Sequence, residues 1–257
     1  MSTHPPARLY RLYPAYCFHA SPTYDTWVKV TAADVQSLRR EPKFPEQRLY
    51  FHINYPIRYV RLVGVVVAID DINLKYTVLT IDDGSGANIE LKIVRIPPVE
   101  QNPVDTSSNT TIDNVNIISP FGIFEVVVDN HKLDIGTVVK VKGTISEFRG
   151  VKQLDLKRIW VVTSTNEEVQ AWTETAAFKR EVLSKPWHLS RTEGNRLKAK
   201  DKAQRKNAQD YQRRMAEYEA KKLEHERTRD KKLAEREKKL ELKRRQEERE
   251  MNKGALI

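Results

Sequence analysis

The 257-residue sequence predicts an all-β core with flanking helices: a five-stranded barrel, a C-terminal helix and a long charged helical tail. Three observations predict it. Residues 57–93 hold three runs rich in Val, Ile and Leu, separated by Asp/Asn/Gly turns. Residues 137–162 hold two more, joined at Arg149-Gly150. Beyond about residue 193 the chain is almost pure helix-former, with no proline and few apolar residues.

Residues 1–13 carry Pro and Arg and read as a flexible N-terminus, ahead of a domain over 14–186. Its first stretch is dense in aromatics, and within it Thr31 caps a short helix from Ala32 to about Arg40. Asp34 stands at the third helical position, and Glu41-Pro42 stops the helix. The run 57–69 is long for one strand and is interrupted by Gly64, which predicts a bend with a bulge there. Asp70-Asp71-Ile72-Asn73 is read as the following turn. In the second strand, period-two alternation puts Thr77, Leu79 and Ile81 inward and Tyr76, Val78 and Thr80 outward. After Asp82-Asp83-Gly84-Ser85-Gly86, Ile89, Leu91 and Ile93 point inward and Asn88, Glu90 and Lys92 outward. Residues 97–120 break the pattern and read as a flexible insertion. A short strand at 123–128 turns at Asp129-Asn130. Strand four, 137–148, buries Val139, Val141 and Ile145 and exposes Lys140 and Lys142; strand five follows at 151–162. Three meander strands, an insertion and a hairpin are the strand order of the oligonucleotide/oligosaccharide-binding (OB) barrel.

A helix comes next, with Thr165 and Glu168 as its capping box and Pro186 beyond its end. Val169, Trp172, Ala176 and Leu183 share one side, beside Phe178 and Val182, and this apolar side suits a partner helix. The tail, 191–257, is a solitary helix of roughly 85–90 Å if continuous. Its i,i+4 pairs are Asp210–Arg214, Glu217–Lys221, Glu235–Lys239 and Glu241–Arg245. Leu233 and Leu240 fit a heptad that does not continue. The tail holds 23 Lys/Arg against 14 Asp/Glu, whereas residues 1–190 hold 22 against 21. The net charge of +10 therefore belongs to the tail, either as a solvated spacer or as a nucleic-acid contact.

Catalysis has no foothold. Cys17 is the single cysteine, which excludes an intrachain disulfide or thiolate zinc cluster and fits a reducing compartment. The six histidines lack ligand spacing, and the doublets Asp70-Asp71 and Asp82-Asp83 read as turn formers rather than as metal or acid/base groups. No phosphate loop or nucleophile elbow is present. No metal, cofactor or enzyme activity is expected. The N-terminus has no secretory apolar region, no run approaches the ~18 apolar residues of a membrane helix, and a soluble intracellular protein is expected. Single-strand binding needs stacking aromatics beside cations on a barrel face. The outward candidates are Tyr76, Lys92, Lys140, Lys142, Phe148, Arg149, Lys152 and Lys157, six of them clustered between 140 and 157.

SPTYDTWVKVTAADVQSLRR, LYFHINYPIRYVRLVGVVVAID, YTVLTIDDGSGANIELKI and DIGTVVKVKGTISEFRGVKQLDLKRIWVV together resemble the STN subunit family of the telomere-capping CST complex, in its fungal form. The likeness covers roughly residues 13–185, and the Trp-Val-Lys-Val-Thr block leading into Val-Gly-Val-Val-Val is its most specific part. The layout is also similar to the middle subunit of replication protein A, whose stacking aromatics fall near Val94 and Lys157 here. The resemblance implies a nuclear, telomeric protein that binds a small OB-fold TEN subunit through its C-terminal helix, with Trp172, Phe178 and Leu183 as contacts. It also implies a large single-strand-binding subunit, G-rich single-stranded DNA and DNA polymerase alpha–primase as partners. Many members end in winged-helix domains, where this chain has the charged helix. Two other readings stay open: a general replication-type middle subunit, and a protein–protein adaptor without DNA contact.

Overall fold

Alternation of branched apolar and polar residues builds the strands, and capped polar residues start the helices. The computed structural model describes residues 10–45, 49–73, 75–97, 108–119 and 124–254. A 3-10 turn at Ala15–Ala20 leads to β1 (Val28–Lys29), α1 (Ala32–Ser37), β2 (Tyr50–His52), β3 (Tyr55–Ile57) and β4 (Tyr59–Asn73). Then come β5 (Tyr76–Asp82), β6 (Asn88–Val94), β7 (Val115–Ile118), β8 (Glu125–Val128), β9 (His131–Leu133), β10 (Val138–Phe148) and β11 (Val151–Val161). α2 (Thr165–Phe178) runs into a π-helical turn, Lys179–Leu183, and α3 spans Arg191–Gly254. The chain divides into two units, Met1–Gly194 and Asn195–Ile257.

In the first unit β4 pairs antiparallel with both β5 and β10, β5 with β6, and β10 with β11. A parallel contact of two residue pairs, Leu154 with Leu91 and Asp155 with Lys92, joins β11 to β6 and completes the ring. This is the partly open five-stranded OB barrel the sequence predicts. Leu62, Leu79, Ile81, Ile89, Leu91, Ile93, Val139, Val141, Leu154 and Ile159 fill it, inward by period two within each strand except that a bulge in β11 shifts the phase between Leu154 and Ile159.

Several local expectations are corrected. β4 does not turn at Asp70: it continues to Asn73, with Asp70 opposite Val78 and Asp71 opposite Thr77. Its far end projects past the core into solvent, so carboxylates are tolerated there, and Asp71 pairs with Arg95 at 2.6 Å. The turn comes later, where Asn73 Oδ1 accepts from the amides of Lys75 and Tyr76. The bulge lies between Val66 and Ala68, not at Gly64, which is regularly paired with Val139. Gly64 is needed for a different reason. A Cβ there would meet the carbonyl oxygen of Asp82 at 2.6 Å, so only glycine lets the β5–β6 turn pass this close. Val78, expected outward, is buried; its same-face neighbours Tyr76 and Lys92 meet in a cation–π contact at 4.3 Å and shade it.

Within the expected insertion, residues 108–119 form ordered structure rather than a loop. Thr110 bridges to Arg95, its hydroxyl donates to the Val115 carbonyl at 2.8 Å, and Ile112, Val115 and Ile117 are buried. β7, β8 and β9 form a small antiparallel sheet. Residues 1–9, 98–107 and 120 of the expected flexible segments, and residue 123 of the expected short strand, lie outside the described residues. α1 carries a complete Thr31/Asp34 capping box but ends at Ser37, because Leu38 turns extended and is buried. α2 is capped one residue earlier than expected, by Ser164, whose hydroxyl accepts from the Glu167 amide at 3.3 Å.

In the second unit α3 is solvated along its length. Of the expected pairs Glu241–Arg245 forms, at 3.3 Å, alongside Asp201–Arg205 at 2.9 Å and Arg213–Glu217 at 3.7 Å. Leu233 and Leu240 are exposed.

Candidate functional site

α2 organises the outer face of the barrel. Small Ala171 lets the helix settle onto Val63, Val138 and Val162. Charged contacts then pin it. Arg61 Nη1 donates to Glu174 Oε2 at 2.7 Å, and Arg61 Nη2 donates to the Ala171 carbonyl at 3.3 Å. Lys29 also reaches Glu174 (3.1 Å), and Lys140 reaches Glu167 (2.5 Å). Arg61 and then Lys29 hold the Glu174 carboxyl below the usual carboxylate range. Helix α2 thus has two flanks, one toward β5 and one toward β10 and β11.

On the β5 flank lies a groove of about 810 Å³, walled by Val30, Val63, Val65, Val67, Trp172 and Ala176. The Asp82–Ser85 turn closes one end. That turn explains the second Asp doublet: Asp82 Oδ1 accepts from the Gly84 amide, Asp83 Oδ1 from the Ser85 amide, and Asp83 Oδ2 from the Ala32 amide that starts α1. Lys179 bridges to Asp34 at 2.6 Å. Burial pushes the Asp34 carboxyl up, but bonds from Lys179 and Thr31 outweigh it and the net shift is downward. Of the three partner candidates, Trp172 is 49% exposed at the groove and Phe178 is half-buried, while Leu183 is 2% exposed. Leu183 belongs to the chain's own core, where its carbonyl meets His52 Nε2 at 3.1 Å.

On the other flank stand Lys140 and Lys142. Lys142 Nζ lies 5.4 Å from the ring centres of both Trp27 and Trp160, with Lys140 and Arg158 also over Trp160, at 5.7 and 5.1 Å. Tyr59 packs edge-on against Trp27, and Arg58 covers Tyr59. Burial pushes the Lys142 ammonium down, reinforced by Arg158, Arg61 and Lys140.

The remaining nucleic-acid candidates do not join this cluster. Tyr76 and Lys92 form their own cation–π pair on β5 and β6. Phe148 (57% exposed) and Arg149 form another at the β10–β11 turn, where Arg149 takes a positive φ of 51°. Lys152 is committed to α1: its Nζ donates to the Gln36 carbonyl at 2.7 Å, and Gln36 returns a bond to the Lys152 carbonyl. Lys157 is exposed as the extra residue of a bulge, since Leu156 faces Gly143 while Arg158 faces Lys142.

Sequence reading missed Trp27, Tyr59, Arg158 and Trp160. Counting back from the Arg149-Gly150 turn sets Lys142 against Lys157; the bulge shifts the register by one and brings Trp160 opposite Lys140. Among the described residues no group of three or more His, Cys, Asp or Glu is placed to hold a metal.

Residues 34–97 and 102–253 match the family model described as Telomere regulation protein Stn1. Protein stn1 of Schizosaccharomyces pombe is 27% identical over 172 residues, covering 66% of this chain and 45% of that protein. CST complex subunit STN1 of Bos taurus is 23% identical over 181 residues, covering 68% and 47%. The chain thus spans about half the length of the curated relatives it matches. Among solved structures, a crystal structure of yeast Stn1 and Ten1 is similar with a TM-score of 0.52 at 16% identity, covering 74% of this chain and 91% of that one. The likeness to that structure is one of fold.

Proposed function

The chain belongs to the Stn1 family of telomere regulation proteins, and from that premise we propose that it is a non-enzymatic telomere-capping subunit that binds G-rich single strands within a hetero-oligomer. A small OB-fold subunit of the Ten1 kind docks against α2 and its groove, through Trp172 and Phe178. A large telomeric single-strand-binding subunit completes the assembly at nuclear chromosome ends, and polymerase alpha–primase fills in the C-strand beside it. Tyr76, Lys92, Lys140, Lys142, Phe148, Arg149, Lys152 and Lys157 are the proposed strand contacts, with Lys140 and Lys152 shared with internal bonds. One observation carries the reading: a large indole left half-exposed over an apolar groove, on a helix otherwise pinned by Arg61 and Lys140. Such a patch marks a protein contact.

Fluorescence anisotropy at two salt concentrations tests it, comparing a G-rich single strand with the matching duplex, with and without a Ten1-type subunit. Weak single-strand binding by the chain alone, tightened at least about tenfold by the partner, is expected, since linked modules add affinity. Equal affinity for duplex and single strand would sink the proposal. A second reading, an adaptor that contacts only proteins, draws on the near-neutral charge of residues 1–190. It predicts that the assembled complex binds DNA unchanged when Lys140, Lys142 and Phe148 are replaced together.

A further inference from the structure

The cation–aromatic shelf beside α2 is unusual in how its charge is left. Three carboxylates border it, and each already has a partner: Glu174 is held by Arg61 and Lys29, Glu167 by Lys140, and Asp155, opposite Thr144 on β10, accepts from the Ser146 hydroxyl at 3.1 Å. Arg58, Lys142 and Arg158 have no ion-pair partner among the described residues, and each lies over an aromatic ring. All of them stand on or beside paired strands of the barrel, so their spacing is set by the sheet rather than by a mobile loop. Lys142 Nζ lies 5.4 Å from both indole centres, so a single cation sits between Trp27, just before β1, and Trp160 on β11. Two indoles and a phenol interleaved with three uncompensated cations are the components of a single-strand binding surface.

We propose that this shelf is a second single-stranded nucleic-acid surface, in which Arg58, Lys142 and Arg158 pair with backbone phosphates and Trp27 and Trp160 stack with bases. It rests on the single-strand reading above, and it places part of the strand on β4, β10 and β11, apart from Tyr76 and Lys92. An acidic peptide is the competing occupant. It satisfies the cations but makes no use of three rings, whereas every base has a face to stack.

The test uses the full chain and a fluorescein-labelled oligothymidylate of about 12 nucleotides, within the usual site size of an OB fold. Lys142→Ala with Arg158→Ala is expected to flatten the slope of log affinity against log salt by about 1.4, at ~0.7 per lost phosphate contact on a single strand. Trp160→Ala is expected to weaken binding about tenfold, and Trp160→Phe to keep most of the affinity because a ring remains. The phenylalanine and double-cation variants keep the test decisive if Trp160→Ala folds poorly. Unchanged slope and affinity in the shelf variants, with loss in Tyr76→Ala plus Lys92→Ala, overturns the shelf and leaves the single-strand reading standing. No binding by the wild-type chain, alone or with a Ten1-type subunit, overturns both. Displacement of the oligonucleotide by poly-glutamate at equal charge concentration, with Trp160→Ala silent, overturns the nucleic-acid assignment in favour of an acidic peptide.

Discussion

The two flanks of α2 share one strand and differ in almost everything else. Along the outer face of β4 the side chains run Tyr59, Arg61, Val63, Val65, Val67, in steps of two. On one side the valines line a groove with Trp172 above and the Asp82-Asp83 turn at its end. On the other, Tyr59 and Arg61 join Lys142, Arg158, Trp27 and Trp160. The changeover falls where Ala171 seats on Val63. A single strand thus changes its chemistry along its length, from cation–aromatic to apolar, with a small helix residue marking the border, and the two proposals above assign a different class of ligand to each half.

The contrast can be broken at its border. Ala171→Phe overpacks a seat bounded by strands and is expected to cost about 3 kcal/mol by chemical denaturation. Loss of both Ten1-type and oligonucleotide binding should accompany it; loss of only one shows that α2 does not set both flanks. Trp172→Ala sharpens the contrast. It should weaken Ten1-type binding by about 2 kcal/mol, on the order of 30-fold, in calorimetric titration. The thermal midpoint, circular dichroism and oligonucleotide affinity should stay unchanged, because the indole is half-exposed. Tyr76→Ala with Lys92→Ala should lower single-strand affinity about fivefold in anisotropy without affecting the partner.

The smallest effect expected is one of pH. Arg61 and then Lys29 hold the Glu174 carboxyl of the folded chain below the ordinary glutamate value of about 4.5. Its stabilisation is thus fully present above about pH 4.5 and is lost as pH falls through the folded value. Amide exchange in α2 should accelerate below that point, while Glu174→Gln should remove most of the change in this window that depends on the pair.

Much of the barrel was legible from side-chain alternation alone. The inward sets of β5, β6 and β10 fell where period two puts them, except that Val78 is shaded by its neighbours. What escaped were features set by non-local contact. Gly64 reads as a bend in isolation, yet its constraint is the Asp82 carbonyl of another strand. The ordered structure over residues 108–119 depends on hydroxyl bonds of Ser108 and Thr110 to Val115, in a stretch that looks like a polar loop. Trp160 escaped because one bulged residue, Lys157, resets the pairing from the turn onward. Leu183 was misjudged because helical spacing cannot say which side of an amphipathic segment meets its own domain.

The two-residue contact between β11 and β6 bears on the order in which the barrel assembles. The β4–β5–β6 meander and the β10–β11 hairpin are local structures joined by tight turns, and each can form early. Bringing Leu91 to Leu154 must instead close a long stretch of chain, for only two pairs of strand contact. We predict that this junction forms last and opens first. Amide protons of Leu91 and Leu154 should then exchange through partial openings well below the global unfolding free energy, while the centre of β4 exchanges only with complete unfolding. If so, the barrel behaves as two cooperative blocks with a latch between them, and the Tyr76–Lys92 face and the Trp160 shelf lie on opposite sides of that latch.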